Sequence, residues 1–381
     1  METKKKNSAT SWKVLSAVLA VALIAVSCSW TFTAMNQPAV SGGGDTSATQ
    51  LVSGADTNDS QAEALSLWTE NAPLKTELTA YMKAITDKDS KDYIPEESRI
   101  AVFDMDGTLC CETDPGYFDH KLLYYRVMED PEYKDRASDE EKAVCAEIKT
   151  YFETGEYPQG LDVKHGRAVA SAFRGMTPEE FDAYVKAYRD QPMEGYTNLT
   201  NGKAFYRPML QVVNYLQQND FTVYIVSGTD RLITRGLAEG AVPVPFRQMI
   251  GSDESLAASN QGDKNGLEYT FSKEDKLVTG GDFLIKNLKM NKVTAIEREI
   301  GVQPVLSFGN SSGDEAMANF TINNNPYKSA AFMLCCDDTE RENGNTGKAD
   351  KMRASCEENG YTAVSMKNDW TTIYGDDVVR K

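Results

Sequence analysis

The sequence is poor in histidine and in clustered bases. It holds two histidines among 381 residues, and 57 acidic side chains against 40 basic ones give a formal net charge of −17. Because binding of duplex nucleic acid needs a basic face, this balance argues against a nucleic-acid partner. It does not exclude a small anionic substrate, since long-range repulsion is screened over about 8 Å in physiological salt. His120 and His165 stand alone, and we expect neither to be catalytic.

Long apolar runs are also scarce. Val14–Val26 is a 13-residue run, short of the roughly 20 residues that a membrane-spanning helix needs. With Lys4–Lys6 before it, the run is typical of a signal peptide. It closes on Ala25-Val26-Ser27-Cys28, which resembles a bacterial lipobox, in which the cysteine is lipidated. Cleavage near Ala34 and an uncleaved anchor extended through Phe32 are the alternatives.

All three alternatives export the rest of the chain, because the lysines stay on the cytoplasmic side. We therefore expect a bacterial protein outside the cytoplasmic membrane, lipid-anchored or released as an extracellular or periplasmic protein. Residues 1–27 hold four lysines and one glutamate, so the mature chain would have a net charge of −20. Residues 29–60 are rich in Ser, Thr, Gly, Ala and Asp and predict a flexible linker.

The cysteines show no spacing typical of a zinc site. Cys28 is expected to carry the lipid. One disulfide from Cys335 or Cys336 to Cys356 is a hypothesis for an oxidising compartment, and buried free thiols are the alternative. The six cysteines of the exported part are Cys110, Cys111, Cys145, Cys335, Cys336 and Cys356.

A pair of aspartates follows the first convincing strand. Arg99–Phe103 predicts a short buried strand that runs directly into Asp104-Met105-Asp106-Gly107-Thr108. The two carboxylates both face outward only if the chain is leaving the sheet, and Gly107 permits that turn. Ligands of open α/β folds bind at this edge of the sheet. The pattern resembles motif I of the haloacid dehalogenase (HAD) superfamily, and implies an α/β fold with a Rossmann-like parallel-sheet core.

The later motifs of this superfamily follow in order, and the sequence is similar to its phosphoserine-phosphatase-like branch. Motif II is matched by the predicted strand Phe221–Ser227 with Gly228 after it. The lysine of motif III is identified as Lys292, with Lys286 and Lys289 as alternatives.

Motif IV departs from the usual pattern. Gly309-Asn310-Ser311-Ser312-Gly313-Asp314 follows a predicted strand, and Asn310 stands where the superfamily usually has the first of two acids. An amide oxygen still suits a hard cation. The resemblance therefore implies a Mg²⁺ site made by Asp104, the Asp106 main-chain carbonyl, and Asn310 or Asp314, with water completing the octahedron.

The resemblance implies a Mg²⁺-dependent phosphomonoester hydrolase. Asp104 would attack phosphorus to form an aspartyl-phosphate, and Asp106 would protonate the leaving alcohol and later deprotonate water. Asp106 argues against a dehalogenase, because the superfamily's dehalogenases lack this residue. The charge on the phosphoryl oxygens would be met by Mg²⁺, Lys292, the Ser227 hydroxyl and backbone amides around Gly107, Thr108 and Gly228.

Two insertions separate these motifs. The 97 residues between Leu109 and Arg207 far exceed a strand-to-helix loop. Capping boxes at Ser138–Glu141 and Thr177–Glu180 predict helices there, and such an insertion resembles the superfamily's C1-type cap. A β-hairpin flap is predicted with strands at Tyr269–Phe271 and Leu277–Thr279. The expected organisation is a signal peptide (1–28), a linker (29–60), a core (61–109 and 207–381) and a helical cap (110–206).

The substrate is expected to be a small phosphorylated molecule, and its identity stays open. An aromatic cluster after motif I could cage a quaternary ammonium group, with phosphocholine as one candidate. In the alternative, the tyrosines form the core of the cap and the arginines are solvated. A catalytically silent surface lipoprotein that keeps the fold as a binding module is the alternative function, because Asn310 replaces an acid. The residues considered for substrate contact are Glu112, Tyr117, His120, Tyr124, Tyr125, Arg126 and Arg174.

Overall fold

The computed structural model of the protein describes residues 64–381. The predicted signal peptide with Cys28, and the predicted linker at 29–60, lie outside these residues. Within the described range, no helix is both long and apolar enough to cross a membrane.

The described chain is built around one large sheet with a small two-stranded sheet beside it. The strands are β1 (Ile100–Phe103), β2 (Tyr196–Thr197), β3 (Thr222–Asp230), β4 (Met249–Ala258), β5 (Leu277–Ile285), β6 (Leu306–Gly309), β7 (Ala330–Cys335), β8 (Thr362–Ser365) and β9 (Val379–Arg380). The large sheet has the order β5-β4-β3-β1-β6-β7-β8, and β2 pairs with β9. Every neighbouring pair in the large sheet is parallel except β4 and β5.

Strand β1 lies inside this sheet between β3 and β6, and all four of its residues are buried. Because side chains alternate along a strand, Ala101 and Phe103 join the main hydrophobic core on one face. Val102 joins a second, smaller apolar cluster on the other. A strand covered on both faces is typical of a parallel α/β sheet. The expected α/β fold with a Rossmann-like core is confirmed, with an antiparallel edge added by β5.

Helices flank the sheet and form the segment between β1 and β3. They are α1 (Pro73–Thr86), α2 (Phe118–Tyr124), α3 (Asp139–Thr154), α4 (Leu161–Ala172), α5 (Pro178–Arg189), α6 (Arg207–Gln218), α7 (Arg231–Ala238), α8 (Met290–Glu299), α9 (Glu315–Ile322), α10 (Thr346–Asn359) and α11 (Met366–Asp369). A π-helical stretch, Tyr125–Glu129, continues α2.

Residues 110–206, here called the helical insertion, contain α2 to α5. Both predicted capping boxes are present, with Ser138 and Thr177 as the N-caps of α3 and α5. Each hydroxyl accepts the backbone N–H of the glutamate three positions later. The carboxylate of that glutamate accepts the backbone N–H of the N-cap residue. These reciprocal bonds satisfy donors that a helix start otherwise leaves unpaired, so the sequence fixes where these helices begin.

The predicted hairpin flap is present, but its first strand was misplaced. Tyr269–Phe271 is irregular, and β5 pairs instead with β4, which ends about ten residues earlier. The reason is Asp275, whose carboxylate accepts the Tyr269 hydroxyl at 3.0 Å and the Ser272 N–H at 2.7 Å. These bonds close the segment into a loop, so its alternating aromatic pattern does not indicate a strand.

The hypothesis of a disulfide to Cys356 is wrong for this structure. All six cysteines of the described range are free thiols. Cys356 packs among apolar neighbours such as Ala331 and Met333, and Cys335 directs its Sγ to the Met333 carbonyl at 3.9 Å. Five of these cysteines therefore act as small buried apolar side chains, and Cys336 is half-buried.

Candidate functional site

The two motif I aspartates lie at the carboxyl end of β1, where the chain turns away from the sheet. The Asp104 N–H donates to the Phe308 carbonyl on β6 at 2.9 Å, which is the last bond of the β1–β6 ladder. Gly107 then adopts a φ of 77°. A side chain at Gly107 would collide with the Asn310 amide and the Glu112 carboxylate. The glycine is therefore needed both for the turn and for the close approach of motif IV.

Lys292 joins motif I to motif IV. From the first turn of α8, its Nζ lies 2.5 Å from Asp104 Oδ1 and 2.7 Å from Asp314 Oδ1, and it is fully buried. Burial alone would lower the pKa of Lys292, but the two carboxylates raise it above its ordinary value. This contact selects Lys292 over Lys286 and Lys289 as the buried cation beside Asp104.

Asp104 remains short of positive charge in spite of this lysine. Burial, followed by repulsion from Asp314, raises its pKa above the ordinary value, and Lys292 only partly opposes them. Its second oxygen, Oδ2, has a hydroxyl contact from Thr108 at 3.5 Å, the outer limit of a hydrogen bond. The nucleophile predicted from the sequence thus has an oxygen with free lone pairs in a site that one more cation would stabilise.

Asp106 lies in a different environment, in contact with the irregular end of β3. The pairing of β3 with β4 shifts register between Val226 and Asp230, as strands often do beside active sites. Asp106 Oδ2 accepts the Thr229 hydroxyl at 2.8 Å and lies 3.4 Å from Ser227 Oγ. Burial, together with repulsion from Asp119, raises the pKa of Asp106 to about 6. A raised pKa suits a group that must both give and take a proton near neutral pH.

The motif IV loop holds Asp314 rigidly. Asp314 Oδ2 accepts the backbone N–H groups of Asn310 at 3.1 Å and Ser311 at 3.0 Å, together with the Ser311 hydroxyl at 3.0 Å. Its Oδ1 accepts from Lys292. Asn310 donates its Nδ2 to Glu112 Oε1 at 3.0 Å, which leaves its carbonyl oxygen on the other side of the amide. Only the Thr108 hydroxyl contacts that oxygen, at 3.4 Å, among the hydrogen bonds of the described chain.

These oxygens fit a magnesium ion. Side chains of Asp104, Asp106, Asn310 and Asp314 line one cavity, and carboxylate and amide oxygens are the donors that Mg²⁺ takes in proteins. Carboxylates outnumber lysines in the lining of this cavity, with Lys286 as its only lining Lys in the described chain. Asn310 and Asp314 both remain candidates for the fourth-motif ligand.

The remaining predicted residues divide into two groups. Gly228 lines the cavity, while Ser227 and Thr108 are fully buried behind it. Thr108 contacts Asp104 and Asn310 through its hydroxyl, so it supports the site from behind. Glu112 lines the cavity, and burial followed by repulsion from Asp106 raises its pKa to about 8.

The substrate-contact candidates also divide. Tyr117 and His120 line the cavity, in contrast to Tyr124, Tyr125, Arg126 and Arg174. The Arg126 guanidinium is buried within the helical insertion, where it donates to Asp130 at 3.2 Å and to the Ala172 carbonyl at 2.8 Å. Tyr125 packs against Tyr188. For Tyr124 and Tyr125 the alternative, packing inside the insertion, is the correct one. Arg174 is exposed, as that alternative expects, whereas Arg126 is buried rather than solvated.

Sequence reasoning missed a buried cluster of Asp119 and both histidines. His120 Nδ1 lies 2.7 Å from Asp119 Oδ1, and the two imidazole rings stack with their centroids 4.1 Å apart and their planes 2° from parallel. Parallel rings share no common plane, so one metal ion could not bind both in this arrangement. Burial, followed by the charge of His120, lowers the pKa of His165 to about 3, which keeps it neutral.

This histidine cluster reaches the motif residues through Thr229. The Thr229 hydroxyl lies 2.8 Å from Asp106 Oδ2 and 3.2 Å from Asp119 Oδ2. No spacing signal could have found it, because Asp119 and His165 lie on α2 and α4, far apart in sequence. Three further cavity residues outside the motifs were also not predicted for the site: Tyr157, Asp162 and Leu288. Lys286, an alternative lysine of motif III, lines the cavity as well.

The sequence comparisons agree with the motif geometry. The profile of the haloacid dehalogenase-like hydrolases matches residues 101–319, more than half of the chain. The protein therefore belongs to the haloacid dehalogenase-like hydrolase family, as the sequence predicted. No curated protein matches the chain.

Solved structures of low sequence identity are similar to parts of the chain. A conserved protein of unknown function from Anaerococcus prevotii has 16% identity and a TM-score of 0.47, and the match covers 76% of this chain and 91% of that one. Cytosolic 5'-nucleotidase IIIB bound to cytidine has 11% identity and a TM-score of 0.46, over 78% and 87%. A substrate-bound phosphoserine phosphatase has 13% identity and a TM-score of 0.33, over 62% and 86%. TM-scores this low say nothing about substrate.

Proposed function

We propose that the protein is a phosphomonoester hydrolase of this family that acts outside the cytoplasmic membrane. One observation supports this above others: Asp104 has an oxygen free of strong donors while Lys292, at 2.5 Å, holds its other oxygen. Such a carboxylate is oriented for attack on phosphorus. The second motif aspartate lies in the same cavity, as an acid and base for the leaving alcohol and the attacking water.

In this proposal Asp104 forms a bond to phosphorus as the ester oxygen leaves, giving an aspartyl-phosphate. Asp106 gives its proton to that oxygen and then takes one from the water that releases phosphate. Lys292 and the backbone amides around Gly228 would stabilise the phosphoryl oxygens. A bound Mg²⁺, held by Asp104, the Asp106 carbonyl and Asn310 or Asp314, would add positive charge where the phosphoryl group gathers negative charge.

The helical insertion is proposed to act as the cap of the C1 type. This is supported by the cavity wall, to which the insertion contributes Tyr117, His120, Tyr157 and Asp162. Export and lipid attachment at Cys28 rest on the N-terminal sequence and remain proposals.

Hydrolysis of p-nitrophenyl phosphate by the full exported chain tests the function. We expect turnover with Mg²⁺, its loss with EDTA, and a fall of about a thousandfold or more for Asp104→Asn, because the nucleophile is removed. The acid-quenched parent should carry a phosphoryl group on the peptide that contains Asp104. Asp135→Asn, an exposed aspartate of the helical insertion, is the matched control and should behave as the parent.

Two results would contradict this proposal. Turnover that survives both EDTA and Asp104→Asn would exclude the mechanism. Absence of turnover by the parent on p-nitrophenyl phosphate and on a panel of phosphorylated sugars, nucleotides and alcohols would favour the alternative of a catalytically silent binding module.

A further inference from the structure

We propose that the site selects phosphate esters of small alcohols that carry a positive charge, such as an aminoalkyl phosphate. This inference rests on the proposed function and adds the class of leaving group. Within the described chain, the only Lys that lines the cavity is Lys286, on the core side, where Lys292 also lies buried behind Asp104. A Mg²⁺ ion bound by the core-side aspartates would add positive charge on that same side. A substrate with a negative end and a positive end would match such a cavity.

The wall from the helical insertion has no Lys or Arg within the described chain. It consists of Glu112, Tyr117, Asp119, His120, Tyr157 and Asp162. The carboxylate of Asp119 already has two partners, the His120 ring nitrogen at 2.7 Å and the Thr229 hydroxyl at 3.2 Å. Glu112 accepts the Asn310 amide at 3.0 Å beside motif IV. Away from motif IV, Asp162 is therefore the acid of this wall that remains for a ligand.

Asp162 stands beside an aromatic corner. Its Oδ1 accepts the Tyr157 hydroxyl at 2.8 Å, which fixes the carboxylate next to that ring. The rings of Tyr117 and Tyr157 lie 6.3 Å apart at 89° to each other. Two perpendicular aromatic walls and one carboxylate are the groups that attract an ammonium ion, by cation–π and Coulomb attraction. Tyr157 is 39% exposed, so this corner lies at the opening of the cavity.

The size of the cavity limits the leaving group. Its volume is about 70 Å³, which is room for roughly six water-sized groups at about 12 Å³ each. A phosphoryl group takes most of that space, so the cavity itself leaves room for a short leaving group. A nucleoside or a sugar ring would extend beyond it, into the adjoining cavity that shares Glu112, Tyr117, Asn310 and Ser311.

The same wall argues against a leaving group that carries a carboxylate. A carboxylate at the aromatic corner would face Asp162 with no Lys or Arg of the insertion among the lining residues of the described chain. Two like charges side by side repel strongly where burial lowers the effective dielectric constant. The preferred alcohol therefore has an ammonium group without an accompanying acid.

Three esters of similar length test this inference: O-phosphoethanolamine, propyl phosphate and 2-phosphoglycolate, which end in an ammonium, a methyl group and a carboxylate. With Mg²⁺ present, we expect kcat/KM for O-phosphoethanolamine to exceed that for propyl phosphate by about tenfold or more, and 2-phosphoglycolate to be the poorest. Asp162→Asn should reduce the ratio of the first two to less than about threefold. Asp135→Asn, an exposed acid of the same insertion, should keep the parent ratio.

Direct binding separates failure of this inference from failure of the proposed function. Calorimetric titration of the parent with each ester, and circular dichroism of each variant, are measured alongside turnover. Equal kcat/KM for all three esters would leave the phosphatase proposal standing and overturn the ammonium preference. If neither these esters nor p-nitrophenyl phosphate and the wider panel is hydrolysed, the proposed function fails, and tighter binding of O-phosphoethanolamine would still support the charged corner. Equal or absent binding of all three in that case would overturn it.

Discussion

Two buried carboxylate sites of this protein differ in how their oxygens are satisfied. Glu342 is completely buried and accepts the hydroxyl groups of Tyr196 and Tyr374, the Thr113 hydroxyl at 2.7 Å and the Asn343 N–H at 2.7 Å. Asp104 is almost as buried, but it shares one lysine with Asp314 and has a weakly bonded second oxygen.

The difference distinguishes a structural carboxylate, Glu342, from one that is arranged to react, Asp104. Neutral donors from several segments surround Glu342, and they satisfy a buried charge without placing another charge beside it. Around Asp104 the carboxylates of Asp106 and Asp314 add repulsion, which the folded chain tolerates only where another cation or a reacting group completes the site. The Glu342 site ties the start of the helical insertion to the C-terminal part of the chain, whereas the Asp104 site is arranged to bind and react.

Of the changes that test this comparison, removal of Lys292 should produce the largest effect. Lys292→Met leaves Asp104 and Asp314 buried without their shared cation, so turnover of any phosphate ester should fall by about 10²–10³-fold. The metal-free variant should also lose about 3–5 kcal/mol of unfolding free energy. Phosphate release and urea denaturation measure the two effects.

Lys289→Met is the matched control for this variant. Lys289 is exposed and only three residues away, and its replacement should leave turnover within about twofold. If Lys292→Met retained a tenth of the parent turnover, Lys292 could not be the main positive group beside the reacting phosphate.

Glu342→Gln should show the opposite pattern. The amide cannot accept from all the donors that converge on Glu342, so the free energy of unfolding should fall by about 1–3 kcal/mol. Turnover per folded molecule should stay unchanged, because Glu342 does not line the cavity of Asp104. Urea titrations are compared with Glu340→Gln, an exposed neighbour whose change should be within about 0.5 kcal/mol of the parent. Loss of turnover with unchanged stability would contradict this prediction and would show that Glu342 contributes to the reaction at the Asp104 site.

The sequence predicted one of these sites and not the other, for a physical reason. Asp104 belongs to a local sequence pattern, in which two acids and a glycine follow the end of a strand within five residues. Glu342 accepts hydrogen bonds from Tyr196 and Tyr374, which lie in segments distant from it in sequence. No local pattern therefore predicts this site. Lys292 could be predicted because it begins a helix in the expected order of motifs, although its two carboxylate partners are visible only in the fold.

The same distinction explains the other successes and errors. The α/β core and the capping boxes follow from short-range periodicity and hydrogen bonding, which a single sequence carries. The first strand of the flap was misplaced because Asp275, a local acceptor, draws Tyr269 into a loop. The stacking of His120 on His165 joins two helices of the insertion, and no spacing rule relates residues on different helices.

The stability of the metal-free protein should depend on pH through the Asp104 site. The pKa values of Asp104 and Glu112 are raised to about 8 and that of Asp106 to about 6, from about 4 in the unfolded chain. Between about pH 4 and pH 8 the folded state therefore binds more protons than the unfolded chain. The contribution of these groups to stability is fully present below about pH 4 and is lost as pH rises toward 8. With EDTA, we expect calorimetric Tm to fall by roughly 2–5 °C between pH 6 and 8.

Magnesium should reduce this fall, because a bound cation favours the charged carboxylates. Asp104→Asn should also reduce it, by removing one of the groups. An identical pH profile with EDTA and with saturating Mg²⁺ would show that the cavity acids do not hold the metal.

Glu112→Gln should have the smallest effect, on metal affinity. Glu112 accepts the Asn310 Nδ2 at 3.0 Å, so it turns the amide oxygen toward the cavity and places a carboxylate close to where the family usually has its first motif IV acid. A glutamine there weakens both contributions, and the Mg²⁺ dissociation constant measured by calorimetry should rise by up to about tenfold. Adding Asn310→Asp to this variant should recover most of the affinity, since the charge returns to the ligand itself. If Mg²⁺ binds Glu112→Gln as tightly as the parent, Asn310 needs no partner, and the difference between the Asp104 and Glu342 sites rests on Asp104, Asp314 and Lys292 alone.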